Sequence, residues 1–177
     1  MTTNRKERQA EQAAAFERIV SHYEDRLIRY AARVTGSGDV AQDVVQDTFI
    51  RLFRHWTGDL EPSPGLSGWL YRVAHNRAVD AVRRRARQAD VETRHAAEQP
   101  ESEPPAVDAD VTTALRARNA LQSLSPREQQ LVILKVYEEK SYREISEITG
   151  LTSGNVGYIL HHAMRKMAQV LKKGGGQ

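Results

Sequence analysis

Apolar residues return at intervals of three and four along most of this 177-residue chain. Nowhere do they alternate convincingly, as a half-buried strand requires. That spacing restricts the fold to helices packed on helices, an all-α protein. The first stripe runs through Phe16, Ile19, Val20, Tyr23, Leu27, Tyr30, Ala31 and Val34, and predicts a helix over Ala13–Val34. Thr35-Gly36-Ser37-Gly38 stops it. Asp39 is a good N-cap for a second helix reaching Trp56, with Val40, Val44, Val45, Thr48, Phe49, Leu52, Phe53 and Trp56 as its stripe. After the loop Glu61-Pro62-Ser63-Pro64-Gly65 comes a third helix, Leu66–Arg87. Three helices of this size can bury one core.

The third helix has two faces. Leu66, Leu70, Val73, Ala74, Ala78, Ala81 and Val82 suit a core. Trp69, Tyr71, Arg72, His75, Asn76 and Arg77 occupy the rest, followed by Arg83, Arg84, Arg85 and Arg87. Aromatic rings stack on unpaired bases and guanidinium groups hold phosphates, so this face suits a nucleic-acid strand. A partly buried Trp and Tyr above a solvated basic face would read the same way.

From Gln88 to about Asp110 the periodicity dissolves. Pro100, Pro104 and Pro105 interrupt a run of Glu, Asp and Ala with too few apolar residues to offset ordering entropy, which predicts a flexible linker. Charge follows the same division. Residues 1–90 hold 15 basic and 12 acidic side chains, residues 91–111 hold 1 and 6, and residues 112–177 hold 10 and 5. Two basic units flanking an acidic connector suggest a polyanion partner.

Beyond the linker, Leu115, Leu121 and Leu124 mark a helix. Ser125-Pro126-Arg127-Glu128 combines a capping box with proline at the first helical position. It opens a helix that carries Leu131, Val132, Leu134, Val136 and Tyr137. Ser141-Tyr142-Arg143-Glu144 is a second capping box, opening a short helix with Ile145 and Ile148. After Thr149-Gly150-Leu151 a longer helix begins at Thr152 or Ser153 and runs to Leu171, with Val156, Ile159, Leu160, Ala163, Met167 and Val170 inward. Short helix, glycine turn and longer helix make a helix-turn-helix. Asn155, Tyr158, His161, His162, Arg165, Lys166 and Gln169 are placed to meet a major groove.

The chain has no cysteine, which excludes a disulfide scaffold, a thiol nucleophile and cysteine-bound zinc. No apolar run approaches the roughly 18 to 20 residues of a membrane span. The polar start MTTNRKERQAEQ lacks a signal-peptide core. A soluble, cytoplasmic protein is expected. No grouping of His, Ser or carboxylates has nucleophile or metal spacing, and there is no glycine-rich phosphate loop, so neither an enzyme nor a cofactor is expected. Adjacent His161 and His162 point in different directions, which argues against a metal site.

Four stretches, taken in order, resemble the extracytoplasmic-function (ECF) class of bacterial RNA polymerase sigma factors. They are GDVAQDVVQDTFIRLFRHW, LSGWLYRVAHNRAVDAVRRRAR, LSPREQQLVILKVYEEKSYREISEITGL and the final helix. The resemblance covers about residues 13–172. It implies a non-catalytic initiation subunit that binds core polymerase, directs it to promoters and helps open the DNA. On that pattern residues 1–12 are a tail and 13–90 form the region 2 domain, a bundle of three to four helices. Residues 91–111 are then the acidic linker, 112–173 the region 4 helix-turn-helix domain, and 174–177 a second tail. The acidic linker would pass near the polymerase cleft as a nucleic-acid mimic, or is simply solvated.

Asp39, Asp43 and Asp47 line one face of the second helix beside Gln42 and Gln46. The resemblance implies that this face docks on the clamp helices of the largest polymerase subunit, with Asp43, Gln46, Asp47 and Arg51 central, and that the C-terminal domain meets the polymerase flap. It assigns Asn76 to a flipped base of the −10 element. Trp69 and Tyr71 would wedge or stack at the opened step, unless Trp69 is core, and Arg72, Arg77, Arg83 and Arg84 would hold phosphates. For the −35 element the candidates are Arg143, Ser153, Asn155, Tyr158, His161, His162, Arg165 and Lys166. An anti-sigma protein is a further expected partner.

The final helix departs from the family, which has Arg or Lys where Gly157 and His162 stand here. An unusual or weaker −35 preference is expected. The competing reading is a stand-alone helix-turn-helix regulator, which leaves the acidic stripe, Trp69 and Asn76 without a role.

Overall fold

The computed structural model describes residues 2–57, 59–93 and 109–173, and side chains at 7 and over 10–57, 59–88 and 116–172. Among the described residues every regular element is helical. The chain divides into two units, Met1–Val82 with Ser146–Gly150, and Arg83–Ile145 with Leu151–Gln177. Residues 94–108, most of the expected linker, and the tail 174–177 lie outside the described residues.

Helix α1 covers Thr2–Thr35, longer at its start than its apolar stripe predicts. It ends at Gly36, whose φ of 69° and N–H to the Ala32 carbonyl (2.9 Å) form a left-handed C-terminal cap. Helix α2 spans Gly38–His55. Its N-cap is Ser37, not Asp39, since the Val40 N–H donates to Ser37 Oγ at 3.4 Å. The helix therefore starts one residue before Asp39, which lies in the first turn where a carboxylate favours the positive end of the helix dipole. Helix α3 spans Pro64–Thr93, six residues beyond the expected end.

The core of the first unit is three stripes. Ile19, Tyr23, Leu27, Tyr30 and Ala31 come from α1, Val44, Val45, Phe49 and Leu52 from α2, and Leu66, Leu70, Ala74 and Ala78 from α3. Phe53 breaks the expectation. It is 77% exposed, because the buried stripe of α2 runs Ala41, Val44, Val45, Thr48, Phe49, Leu52, and Phe53 stands a further 100° round the helix.

Helix α4 spans Ala109–Gln122 and α5 spans Pro126–Val132. Ile133–Tyr137 continues α5 as a π turn, and the Glu138 N–H reaches five residues back to the Ile133 carbonyl at 3.2 Å. The widened turn shifts the 3.6-residue register. Val136 and Tyr137 are 50% and 47% exposed, while Leu131 to Leu134 are all buried. Helix α6 spans Tyr142–Thr149 and α7 spans Ser153–Lys173, with Gly150 at a φ of 74° between them. Both capping boxes form. Ser125 and Glu128 exchange side-chain-to-backbone bonds, as do Ser141 and Glu144. Thr152 Oγ1 caps α7 by accepting the Asn155 N–H at 3.3 Å.

Candidate nucleic-acid interface

One buried hydrogen bond and one buried ring contact orient α3 before its exposed face matters. His75 is 6% exposed, and its Nδ1 lies 2.8 Å from Tyr30 Oη. Tyr71 is 2% exposed and meets Tyr30 edge-on, with ring centroids 5.4 Å apart. A ring that stacks on a base needs an open face, so Tyr71 supports α3 from inside and does not serve as a stacking platform. His75 likewise leaves the outer face on which its sequence position put it. Trp69 is half-buried and packs edge-on against Trp56 at 5.6 Å, which fixes its ring beside the loop before α3.

With those residues turned inward, Arg72 and Asn76 stand exposed one turn apart, with Asp80 on the next turn. Arg83, Arg84, Arg85 and Arg87 are exposed further along α3. Arg77 is different. Its Nε lies 2.5 Å from Asp47 Oδ2 on α2, in ion contact but out of line for a hydrogen bond. It ties two helices together and presents only a third of its side chain to solvent.

On α2, Asp43 and Gln46 are exposed and Asp47 and Arg51 are half-buried. Asp47 also accepts from Arg51 Nε at 3.3 Å. Beside them lies an open apolar groove of about 740 Å³ between α1 and α2, lined by Phe16, Val20, Val45, Phe49, Ile50 and Phe53, with Gln46 at its edge. The sequence reading missed Ile50 and misplaced Phe53. The signal was that α2 carries more apolar residues than one inward stripe can hold.

On α7, Ser153, Asn155, Tyr158, His161 and Arg165 are exposed, as is Arg143 on α6. Tyr158 and His162 rings lie 4.4 Å apart, and His161 meets His162 edge-on at 5.7 Å. Lys166 is bound internally, its Nζ donating to Glu128 Oε1 at 2.7 Å. The other oxygen of Glu128 accepts from Ser125 N and Oγ at 2.9 and 2.8 Å. The Lys166 hydrogen bond, with help from Ser125, holds the Glu128 carboxyl down at about 2. One carboxylate thus caps α5 and anchors α7.

Two family models match the chain, sigma-70 region 2 over residues 19–88 and sigma-70 region 4 over 114–167. SigL of Mycobacterium tuberculosis, an ECF RNA polymerase sigma factor, is 31% identical over 168 residues, 94% of either chain. The protein belongs to the ECF sigma factors. Sigma factors of this family are non-catalytic, DNA-binding transcription initiation factors. The sigma factor is also 35% identical to SigE of Mycolicibacterium smegmatis over 164 residues, spanning 90% of this chain and 62% of that protein. Its fold is like that of the sigma factor RpoE of Bartonella quintana, solved with the anti-sigma factor NepR. The TM-score is 0.67 at 21% identity, over 89% of this chain and 96% of that one. CnrH, solved with the cytosolic domain of CnrY, gives 0.63 at 19% identity, over 89% and 88%.

Among the described residues no helix is long and apolar enough to cross a membrane. Nor does any group of three or more His, Cys, Asp or Glu stand ready for a metal.

Proposed function

We propose that this sigma factor works without catalysis of its own, in the cytoplasm, by docking α2 on core RNA polymerase and using α3 to capture the opened −10 strand. The observation that carries this reading is the division of α3. Tyr71 and His75 lock one face into the core, while Arg72 and Asn76 stand one turn apart on the open face. A rigid helix with an amide one turn from a guanidinium can pair with a flipped base edge and hold the adjoining phosphate.

Docking is carried by Asp43, Gln46, Ile50 and Phe53, an acidic and apolar strip suited to a basic, partly apolar partner. In this account Asp47, Arg51 and Arg77 shape the strip from within, and Trp69 and Trp56 form a wedge at the opened step. Arg83 and Arg84 hold phosphates. The region 2 domain ends near residue 90, residues 91–111 connect it to region 4, and region 4 reads the −35 element through α7 while its other surface meets the polymerase flap. The RpoE and CnrH structures, each with an anti-sigma partner or its cytosolic domain, support a similar regulator for this chain.

Run-off transcription with core polymerase on a promoter library tests the reading. Discrete starts above core alone are expected. Duplex binding with no transcript would instead favour the stand-alone helix-turn-helix regulator.

A further inference from the structure

The reading surface of α7 holds no guanidinium or ammonium group over its first twelve residues. Ser153 to Met164 reads SGNVGYILHHAM. Lys166, further along, is bonded to Glu128. What α7 offers instead is Asn155 and Tyr158, both exposed and three residues apart, hence neighbours on one helical face. Tyr158 is 66% exposed, yet its orientation is supported by the His162 ring at 4.4 Å, inclined by 58°. A large aromatic left this open on a helix surface exposes apolar area for no internal return, and the tilted imidazole against it lowers the entropy lost when it makes contact.

These groups match particular base edges. A carboxamide pairs in two-point fashion with adenine N6 and N7. An apolar ring matches the C5-methyl of thymine, the one apolar feature in the major groove. Guanine O6 and N7 call for a forked or paired cation, which this stretch lacks. Gly157 lies between the two readers. A Cβ there would meet Tyr142 Cε2 at 3.4 Å, an ordinary contact, so internal packing does not demand glycine.

We propose that the first turns of α7 read A·T base pairs within the upstream element, with Asn155 on an adenine and the Tyr158 ring on a thymine methyl, the ring held by His162. The proposal rests on the reading of α7 as the duplex-facing helix and adds which bases it recognises. It makes Tyr158 a specificity determinant through its ring and not its hydroxyl.

The test uses the full chain with core polymerase on a promoter mapped by run-off transcription. Each thymine of the protected upstream segment is replaced in turn by deoxyuridine, which removes only the methyl group. At one thymine the wild type and Tyr158→Phe lose about fourfold in affinity, the value of one buried carbon, and Tyr158→Ala shows no further loss there. Replacing one adenine by its 7-deaza analogue costs the wild type roughly tenfold and Asn155→Ala nothing more. Tyr158 is mostly exposed, so these variants leave the core intact. If deoxyuridine is silent everywhere while Tyr158→Ala still weakens binding, the ring touches the backbone and the base assignment is wrong, although α7 remains duplex-facing. If scrambling the upstream segment changes nothing, the duplex-facing reading falls and the base assignment with it.

Discussion

Asp47 on α2 and Arg77 on α3 are in ion contact, Oδ2 to Nε at 2.5 Å, and the same oxygen accepts from Arg51 one turn along α2. A residue that reads as a docking carboxylate is thus also a brace between two helices. Its neighbour in sequence on the α3 side is Asn76, the candidate base reader, so the brace fixes the backbone that carries it.

That brace separates Asp43 from Asp47. Asp43→Lys should weaken binding to core polymerase with the unfolding midpoint in urea unchanged. Asp47→Asn and Arg77→Met should each lower stability, with a coupling of about 0.5 to 1 kcal/mol in a double-mutant cycle, the range of a partly exposed pair. Additive losses would mean that the contact contributes nothing.

Tyr30→Phe keeps the ring and removes the hydroxyl that meets His75 Nδ1. A loss of about 1 to 2 kcal/mol is expected from a buried pair of this kind. Urea unfolding followed by the fluorescence of Trp56 and Trp69 reads it, since both report on the first unit. An unchanged midpoint would show that α3 is held by packing alone.

Glu128 makes the second unit acid-sensitive. Its carboxyl is depressed to about 2 from an ordinary 4.5, so its contribution is fully present above about pH 4.5 and is lost as pH falls toward 2. Protection factors of α5 and α7 amides, referred to the intrinsic exchange rate at each pH, should fall across that window. In Glu128→Gln the dependence should flatten and basal stability should fall by about 1 to 3 kcal/mol. Identical pH profiles in the two proteins would remove Glu128 as the cause.

The interior glycine of α7 gives a prediction of opposite sign. Alanine at Gly157 meets only ordinary contact with Tyr142, so Gly157→Ala should stabilise the fold by roughly 0.5 to 1 kcal/mol in thermal or urea unfolding. Weaker promoter binding in the same variant would show that the duplex backbone approaches that position.

The features visible in the sequence are those whose causes lie within one turn. Ser125 and Glu128, or Ser141 and Glu144, stand three residues apart, and each pair closes its capping box as its spacing predicts. The stripes of α1 and α3 follow in the same way from local periodicity. The departures have long-range causes. Tyr71 and His75 have polar atoms that suggest an outer face, yet Tyr30, some forty residues earlier, supplies the partner that draws them in. Lys166 reads as a free cation until Glu128, 38 residues away, is set beside it. The π turn leaves no mark in the stripe of α5, and Val136 and Tyr137, which lie in it, stand exposed.

Asn76, held on the open face of α3, is proposed to capture a base of the opened strand. The decisive comparison is the permanganate reactivity of promoter thymines between polymerase bearing the wild-type chain and the Asn76→Ala variant at equal occupancy of core. Strong reactivity around the start site is expected with the wild type and a several-fold loss with Asn76→Ala, core binding being unchanged. Equal reactivity in the two complexes would mean that Asn76 captures no base.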